Sequence, residues 1–464
     1  MYQMIESVNS VLNTFIWGVP AMAAILGVGF YLTVRTGFIQ IRRFGYAIRN
    51  TFGRMFHKKE AGSGSITPFQ AVCTALAATV GTGNIAGVAG AIALGGPGAV
   101  FWMWLSAIPG MCTKFSEVVL AVRFRERNAH GDLVGGPMYY IKNGLGKKWI
   151  WLAYAYSAFG LCAVFGTGNA TQVNTITTAI NAALLNYQVI PESSLGTCKL
   201  VIGIVIAVIV GVILLGGIKR IGQVTERLVP VMALLYLILA VVLIGINFRR
   251  IPQVFAAIIG GAFNPRAVTG GVVGSLFLSM RNGVSRGIFS NEAGLGTGSI
   301  AHACADTDDP VKQGLYGIFE VFMDTIVFCT MTALVILLSG VSVPYGTAAG
   351  ADLTISGFTS VCGNWVSIFT AIAMCCFAFS TILGWGLYGQ RCAEFLFGSR
   401  IRVPYQVLYA LTAILGSTMD LGLVWGISDT LNGFMTIPNL TAVFLLCPVV
   451  LQCIQAHFGG KQAK

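Results

Sequence analysis

Long apolar runs separated by short polar segments make up most of the chain. A transmembrane helix requires about 20 apolar residues, and eleven runs approach or exceed that length: 14–34, 68–95, 99–122, 150–183, 199–216, 228–246, 268–303, 315–338, 364–388, 405–426 and 434–455. Two of them, 150–183 and 268–303, are too long for one straight span, so we expect a tilt or a break in each. The pattern predicts an all-α polytopic membrane protein.

Composition supports the same class. Of 464 residues, 55% are hydrophobic and only 10% are charged, and a soluble protein could not bury so much apolar surface. Lipid is therefore an expected partner. The net charge of +12 indicates basic loops beside anionic lipid rather than binding of nucleic acid. No Lys or Arg precedes the first run, which favours a retained span over a cleaved signal peptide.

Basic residues are concentrated in loops that alternate spans place on one side. Segments 35–67 and 123–149 are rich in Lys and Arg, whereas 184–198 and 339–363 contain none. Further basic residues are predicted on the same side as these two segments: Lys219, Arg220, Lys312, Arg400, Arg402, Lys461 and Lys464. Three basic residues are predicted on the opposite side: Arg249, Arg250 and Arg266. The positive-inside rule then predicts an outer N-terminus and a cytoplasmic C-terminus. Segment 37–56 alternates aromatic and basic residues, which indicates an amphipathic helix along the cytoplasmic interface, with a solvated loop as the alternative.

The arrangement of the spans predicts an inverted repeat. After segment 1–67, which holds an extra span and the amphipathic helix, segments 68–246 and 268–455 each contain five runs, and a tail follows at 456–464. Because five is odd, the two halves must enter the membrane from opposite sides. Interrupted helices at matching positions in such halves indicate a transporter site near the bilayer midplane.

The first run of the first half contains "VGTGNIAG", residues 80–87. Its glycines predict a break in the helix, because each Gly costs about 1 kcal/mol relative to Ala in a helix interior. Freed amides of Thr82 and Gly83 suit a carboxylate, freed carbonyls of residues 77, 79 and 80 suit Na⁺ or an ammonium group, and Asn84 offers a neutral oxygen. Close packing of helices on small residues is the alternative.

The corresponding run of the second half carries ionisable groups among apolar residues. "MRNGVSRG", residues 280–287, includes Arg281 and Arg286, and charged groups at membrane depth are usually functional. We therefore predict a second interrupted helix within residues 275–305.

Three motifs together resemble the alanine or glycine:cation symporter family of bacteria and archaea. They are "VGTGNIAG", "MRNGVSRGIFSNEAGLGTGSIAHACA" followed by "DPVKQG", and "FAFSTILGWGLYG". The resemblance covers essentially the whole chain. It implies a leucine-transporter-like 5+5 inverted repeat preceded by one extra helix, in a bacterial or archaeal cytoplasmic membrane. It also implies uptake of a small neutral amino acid, alanine or glycine, with Na⁺ as the co-transported ion, no cofactor and no enzymatic activity.

The resemblance also implies roles for individual residues. Those expected to bind the amino acid are Thr82, Gly83, Asn84, Gln172, Phe277, Met280, Thr381 and Trp385. Those expected to bind Na⁺ are Ala77, Val80, Phe377, Ser380 and Thr381. We expect Trp385 to limit the size of the substrate. A second "GTGN" occurs at residues 166–169, and we interpret its glycines as positions where helices pack closely rather than as part of the site.

Several alternatives stay open at this point. Four carboxyl groups are expected inside the membrane, those of Glu117, Glu292, Glu320 and Asp324. They could relay a proton, which would make the transporter proton-coupled, or they could form ion pairs with Lys114, Arg281 or Arg286. The segment "DTDDP" suits Mg²⁺ in a membrane enzyme through Asp306, Asp308 and Asp309, or a helix cap near Val311. A channel is a further alternative. The sequence leaves open the particular amino acid, the oligomeric state and a disulfide between Cys198 and Cys362.

Overall fold

A computed structural model describes residues 2–55, 61–62, 64–419 and 422–459. These residues are almost entirely helical. The two strands, β1 (Glu126–Arg127) and β2 (Leu133–Val134), form an antiparallel hairpin between two helices. The predicted all-α architecture is confirmed. The basic residues predicted at 58–59 and 461–464 lie outside the described residues, as does Phe56.

The N-terminal region contains two long helices and two short ones: α1 (Tyr2–Ile16), α2 (Val19–Arg35), α3 (Ile39–Arg42) and α4 (Phe44–Met55). The first predicted span therefore starts earlier than residue 14 and is interrupted at Gly18, where Pro20 favours a new helix start. The amphipathic segment is helical, as predicted. Its Phe44 ring packs edge-on against Phe322, with centroids 4.8 Å apart.

The first half begins with a broken helix and continues with four further helical rods. Their bounds are α5 (Pro68–Thr79), α6 (Ala86–Gly95), α7 (Ala99–Arg123), α8 (Pro137–Tyr140), α9 (Ile150–Phe165), α10 (Thr171–Asn186), α11 (Leu195–Leu215) and α12 (Gly217–Ile246). A π-helical turn, Gly166–Ala170, joins α9 to α10. The start of α5 is fixed by a capping box in which Thr67 and Gln70 exchange hydrogen bonds.

The rest of the described chain is also helical. It contains α13 (Ile251–Phe263), α14 (Pro265–Val268), α15 (Leu276–Asn291), α16 (Thr297–Ala303), α17 (Pro310–Val321), α18 (Thr330–Ser339), α19 (Ala351–Cys362), α20 (Val366–Phe397), α21 (Arg402–Thr418), α22 (Gly422–Leu445) and α23 (Cys447–Gly459). A π-helical segment, Phe322–Cys329, joins α17 to α18. The domain boundaries expected from the sequence stay predictions.

Fewer helices qualify as straight spans than the sequence predicts. Among the described residues, seven helices are long and apolar enough to cross a membrane, or up to nine if each bent pair counts as one span. The bent pairs are α5 with α6, at 54°, and α22 with α23, at 55°. The predicted count of eleven is not confirmed. Helix α21 has 17 residues, and α15 and α16 are separated by an irregular segment.

The two broken helices lie in the interior of the bundle. Helix α5 packs against α12, α16 and α20, whereas α6 packs against α15. Helix α7 lies between α15 and α17. The chain segments flanking the two breaks also meet at one end of the bundle, where the amide of Ile66 donates to the carbonyl of Cys304 at 3.1 Å. The interior is therefore organised around interrupted helices.

A buried ion pair joins α7 to α17. Lys114 Nζ lies 3.1 Å from Glu320 Oε1, and neither side chain is exposed. His302 Nε2, from α16, lies 3.0 Å from the other oxygen of Glu320. This confirms the predicted pairing with Lys114, whereas Arg281 and Arg286 form no ion pair within the described chain.

We expect Lys114→Met to lower the free energy of unfolding by about 3–5 kcal/mol, because it leaves the Glu320 carboxylate buried without its partner. Thermal unfolding in detergent micelles measures the effect. The double variant Lys114→Met/Glu320→Gln should recover most of the loss. Lys199→Met, at a half-buried position without an ion pair in the described structure, is the matched control. Equal stability of the single variant and the wild type would contradict the prediction.

Candidate functional site

The first helix break leaves peptide groups on both of its sides without partners. Helix α5 ends at Thr79 and α6 begins at Ala86. The carbonyls of residues 77–80 accept no hydrogen bond from any described residue, and the amides of Thr82 and Gly83 donate none. Helix ends always expose such groups, but here they lie deep inside the protein. The predicted break is therefore present, and its free groups are those that the sequence predicts.

The second break lies within residues 275–305, as predicted, between α15 and α16. Helix α15 runs without interruption through residues 281–287. The chain leaves the helix only at Glu292, whose φ is +55°, and two glycines with positive φ follow, Gly294 and Gly296. Gly283 and Gly287 instead allow close packing, since a Cβ on Gly283 would lie 2.2 Å from the Ala99 carbonyl of α7. Residues 281–287 therefore belong to a continuous helix, and the interruption follows them.

The amides of the second break are bonded by side chains of the protein. The Ala293 amide donates to Asn291 Oδ1 at 2.9 Å, and the Gly294 amide donates to Glu117 Oε1 at 2.9 Å. Asn439 also donates to this Glu117 oxygen, at 2.6 Å. The two breaks therefore differ in part: side chains bond the amides of Ala293 and Gly294 at the second, whereas the amides of Thr82 and Gly83 at the first have no partner among the described residues.

A buried carboxylate connects the two broken helices. Asn84 Nδ2 donates to Asp324 Oδ1 at 2.6 Å, and Ser290 Oγ donates to the same oxygen at 3.1 Å. The Gly81 amide donates to Asn84 Oδ1 at 2.9 Å. The Asn84 side chain therefore holds the unwound segment in place, and it is not among the residues that line the cavity described next.

A small cavity, about 30 Å³, lies between the two breaks. Pockets for drug-sized ligands usually measure roughly 300–1,000 Å³, so this one is much smaller than such a pocket. Its lining includes Thr82, Gly83, Gln172, Thr381 and Trp385, as predicted, together with Thr167, Thr171, Phe289, Ser290, Glu292, Trp425 and Asn432. The structure thus brings five of the eight predicted substrate residues to one cavity.

Two predicted residues lie elsewhere. Phe277 is near the start of α15 and 43% exposed, and Met280 packs against the cluster of residues that includes Ile16 and Ile25. The aromatic side chain of α15 that reaches the cavity is Phe289, about three helical turns after Phe277. The signal for Phe289 is its place directly before the polar "SNE" segment, at the true end of the helix.

One wall of the cavity is polar. The Thr82 hydroxyl donates to Gln172 Oε1 at 3.2 Å, and Gln172 Nε2 donates to the Thr167 carbonyl at 3.0 Å. Another wall carries the Trp385 ring, which is 2% exposed. A Cβ on Gly168 would lie 2.4 Å from Trp385 Cβ, so the second "GTGN" allows close packing, as interpreted from the sequence.

The predicted sodium ligands lie beside the first break. The hydroxyls of Ser380 and Thr381 donate to the Phe377 carbonyl at 2.8 and 3.0 Å. Thr381 also faces the break closely, because a Cβ on Gly81 would lie 2.4 Å from its Oγ1. The Thr381 hydroxyl of α20 therefore lies beside the unwound segment that follows α5. Neutral oxygen atoms of this kind suit a hard cation.

Two further cavities lie near the ends of the broken helices. A large one, about 2260 Å³, is lined by residues that precede α5 and follow α16, including Thr67 and Asp306. A smaller one, about 310 Å³, is lined by Leu94 at the end of α6 and by Leu278 at the start of α15. The three cavities thus follow one another from one end of the bundle to the other.

The acidic segment before α17 does not form a metal site. Asp309 caps α17 by accepting from the Lys312 amide at 3.1 Å, Asp306 accepts from the Gly62 amide at 2.9 Å, and Asp308 lies 3.9 Å from Arg125. The capping interpretation is confirmed. No group of three or more His, Cys, Asp or Glu residues in the described part of the chain could hold a metal ion. Cys198 and Cys362 are both free thiols.

Comparison with known proteins identifies the family. The profile of the sodium:alanine symporter family matches residues 1–464. The chain belongs to the sodium:alanine symporter family. It is 42% identical to the sodium/alanine symporter AgcS of Methanococcus maripaludis over 96% of both chains. It is 37% identical to the probable sodium/glutamine symporter GlnT of Bacillus subtilis, over 100% of this chain and 93% of that one. As a member of this symporter family, the protein is a multi-pass membrane transporter that couples an amino acid to a cation.

A solved structure shows the fold. MhsT, solved in complex with L-phenylalanine, superposes with a TM-score of 0.58 at 16% identity, covering 84% of this chain and 90% of MhsT. The leucine-transporter-like fold implied by the sequence motifs of the sodium:alanine symporter family is confirmed.

We expect Gly81→Ala to disrupt the first break, because the added methyl would overlap the Thr381 hydroxyl. Thermal unfolding temperature and cation-dependent uptake should both fall well below the wild-type values. Gly87→Ala is the matched control, since a Cβ there meets nothing within 4 Å. Wild-type uptake by Gly81→Ala would show that the unwound segment does not approach α20 as the structure places it.

Proposed function

We propose that the protein imports a small neutral amino acid, alanine or glycine, together with Na⁺ by alternating access. One observation supports this above the others. The amides of Thr82 and Gly83 at the first break have no hydrogen-bond partner among the described residues, and both residues line the small cavity. Amides at a helix start favour a carboxylate, and every amino acid carries one. The small volume and the Trp385 and Phe289 rings leave little room for a side chain.

The amino group and the ion have separate partners in this proposal. The ammonium group faces Glu292, whose carboxylate lines the cavity and accepts a hydrogen bond from Thr297. Na⁺ lies between the carbonyls of Ala77 and Val80 and the oxygens of Phe377, Ser380 and Thr381. Binding of Na⁺ there joins α5 to α20 and tightens the unwound segment around the substrate.

The membrane potential supplies part of the driving force. One charge that crosses 100 mV gains about 2.3 kcal/mol, which corresponds to roughly 50-fold accumulation of the substrate. In the proposed orientation, the N-terminus lies outside a cytoplasmic membrane and the large cavity opens to the cytoplasm. Basic residues near that cavity, including Arg123, Lys219 and Arg227, support this direction through the positive-inside rule.

Proton coupling is a second candidate, supported by one observation. Asp324 is fully buried and forms no ion pair with a described residue, so it could carry a proton rather than a charge. Uptake of labelled alanine and glycine into proteoliposomes, with Na⁺, Li⁺ or proton gradients imposed separately, distinguishes the two. We expect uptake to require Na⁺. Uptake driven by a proton gradient alone would favour the second candidate, and no uptake under any gradient would reject both.

We expect Thr381→Val to raise the Na⁺ concentration required for half-maximal uptake about tenfold or more, because it removes a hydroxyl ligand while it keeps the side-chain shape. Removal of one hydrogen-bond-like contact to a charge costs about 1.5–3 kcal/mol. Thr370→Val, in the same helix, is the control, since its hydroxyl bonds the Ser367 carbonyl one turn away. An unchanged Na⁺ dependence would remove Thr381 from the ion site.

We expect Trp385→Ala to admit larger amino acids. The substitution removes the indole ring that forms one wall of the cavity. The preference for alanine over leucine should therefore decrease by about tenfold, which is the discrimination that one or two methylene groups usually provide. Counterflow with a series of labelled amino acids measures it, and Trp365→Ala, at an exposed position at the start of the same helix, is the control. An unchanged size preference would show that Trp385 does not limit the substrate.

A further inference from the structure

The last helix, α23, forms one wall of the large cavity. It is bent by 55° from α22 and packs against α2, α7 and α17. The residues of α23 that line the cavity are Val449, Gln452, Cys453, Ala456 and His457. Thr67, directly before α5, lines the same cavity. Helix α23 therefore borders the space at this end of the broken helix.

The last turn of α23 is bound to two other helices. His457 Nδ1 lies 2.8 Å from Asp309 Oδ2, and the His457 side chain is 6% exposed. Asp309 is the residue that caps α17. The Phe458 ring lies against the Arg43 guanidinium of α4, with 4.4 Å between the ring centroid and Cζ, and its centroid is 6.1 Å from that of the Tyr46 ring. We call these contacts the α23 junction, because they connect α23 to both α17 and α4.

The charged groups around the junction favour one partner for the imidazole. Asp309 lies within ion-pair distance of it, and Lys312 Nζ, on α17, lies 3.7 Å from the same carboxylate oxygen. The two acidic residues just before Asp309, Asp306 and Asp308, contact the Gly62 amide and Arg125 instead. The other elements beside α23 bring cations to it: Arg35 on α2, Arg43 on α4 and Arg123 on α7. The Asp309 carboxylate is therefore the group that favours a charged imidazole.

The strength of the junction depends on pH. Histidine is the side chain that ordinarily changes its charge between about pH 5 and 8, whereas an aspartate is ordinarily ionised throughout that range. A charged imidazole and a carboxylate form a charge-assisted contact, which is stronger than a hydrogen bond from a neutral ring. The junction is therefore strongest at low pH, and it weakens as the pH rises and His457 loses its proton.

We propose that the α23 junction is a regulatory contact through which cytoplasmic pH controls the rate of transport. The junction is formed in an arrangement that contains the large cavity, so it stabilises this arrangement relative to any in which α17 and α23 separate. At low pH the empty transporter stays longer in this arrangement, and net uptake is slower. The inference rests on the proposed function, since it takes the large cavity as the exit of the amino acid to the cytoplasm.

Hydrogen–deuterium exchange of the purified protein in lipid nanodiscs tests the junction without any substrate. After correction for the intrinsic rate, the amides in the last turn of α23 should exchange about fivefold more slowly at about pH 6 than at about pH 8, the upper range for a partly exposed ion pair. His457→Gln, which carries no charge, should exchange at the faster rate at both pH values. His457→Lys, which keeps its charge, should exchange at the slower rate at both.

Uptake tests the regulatory role. In right-side-out membrane vesicles with fixed external pH and Na⁺, net uptake of labelled alanine should rise by up to about fivefold when the internal pH is raised from about 6 to about 8. This dependence should be absent in His457→Gln, which keeps the higher rate, and in His457→Lys, which keeps the lower rate. His130→Gln, which changes an exposed histidine between β1 and β2, is the matched control and should keep the wild-type dependence.

The outcomes separate this inference from the proposed function. The same pH dependence of exchange and uptake in the wild type and in His457→Gln would overturn the inference while the proposed function stands. A wild type that takes up neither alanine nor glycine would reject the proposed function, and the exchange measurement would still decide whether the junction responds to pH. His457→Leu, which removes the donor as well as the charge, provides a second uncharged variant in case His457→Gln folds poorly. A wild-type pH dependence in this variant would also overturn the inference.

Discussion

Buried peptide groups that lack partners are the constraint around which this protein is built. In a membrane, an unpaired amide or carbonyl is tolerated only where it faces protein or a polar cavity. Here the carbonyls at the end of α5 and the amides of Thr82 and Gly83 are free, and both adjoin one small cavity. The rest of the bundle encloses these groups: α15 and α20 close on them from two sides, and Gly81 allows the Thr381 hydroxyl to approach.

Charged side chains surround this centre, and most of them bond the protein itself. Glu117 accepts a hydrogen bond from the Gly294 amide at the second break, and Asp324 accepts hydrogen bonds from Asn84 and Ser290. Lys114 forms an ion pair with Glu320. Each of these contacts joins two different helices, so the charges fix the relative positions of the interrupted segments. The arginines of α15 are the exception, because they face the outer cavity without a partner in the described chain.

The sequence was sufficient for the fold and for the first break, because Gly, Thr and Asn together inside an apolar run weaken a helix and favour an unwound segment. It predicted a second interrupted helix within residues 275–305 but not the point of interruption: residues 281–287 are helical, with Gly283 and Gly287 among them, and the chain leaves the helix only at Glu292. Those glycines allow the contact with α7, and only coordinates reveal a close approach between distant segments. The assignment of Phe277 and Met280 to the substrate site failed for a similar reason. A residue two or three helical turns away from the correct position on α15 lies in a different part of the protein, and the sequence does not show which turn faces the cavity. The span count differs because α21 is short and because the other breaks divide the apolar runs.

The bond between Asn84 and Asp324 lies where the two broken helices approach each other, near the middle of the bundle. A rotation of one half against the other about an axis through this bond would leave it intact, while atoms at the far ends of α5 and α15 would travel furthest. The hydrogen bond between Asn84 and Asp324 can therefore act as a pivot for this rotation. Conformational change in such a molecule need not break its central polar link, and the displaced surfaces are the two end cavities rather than the centre.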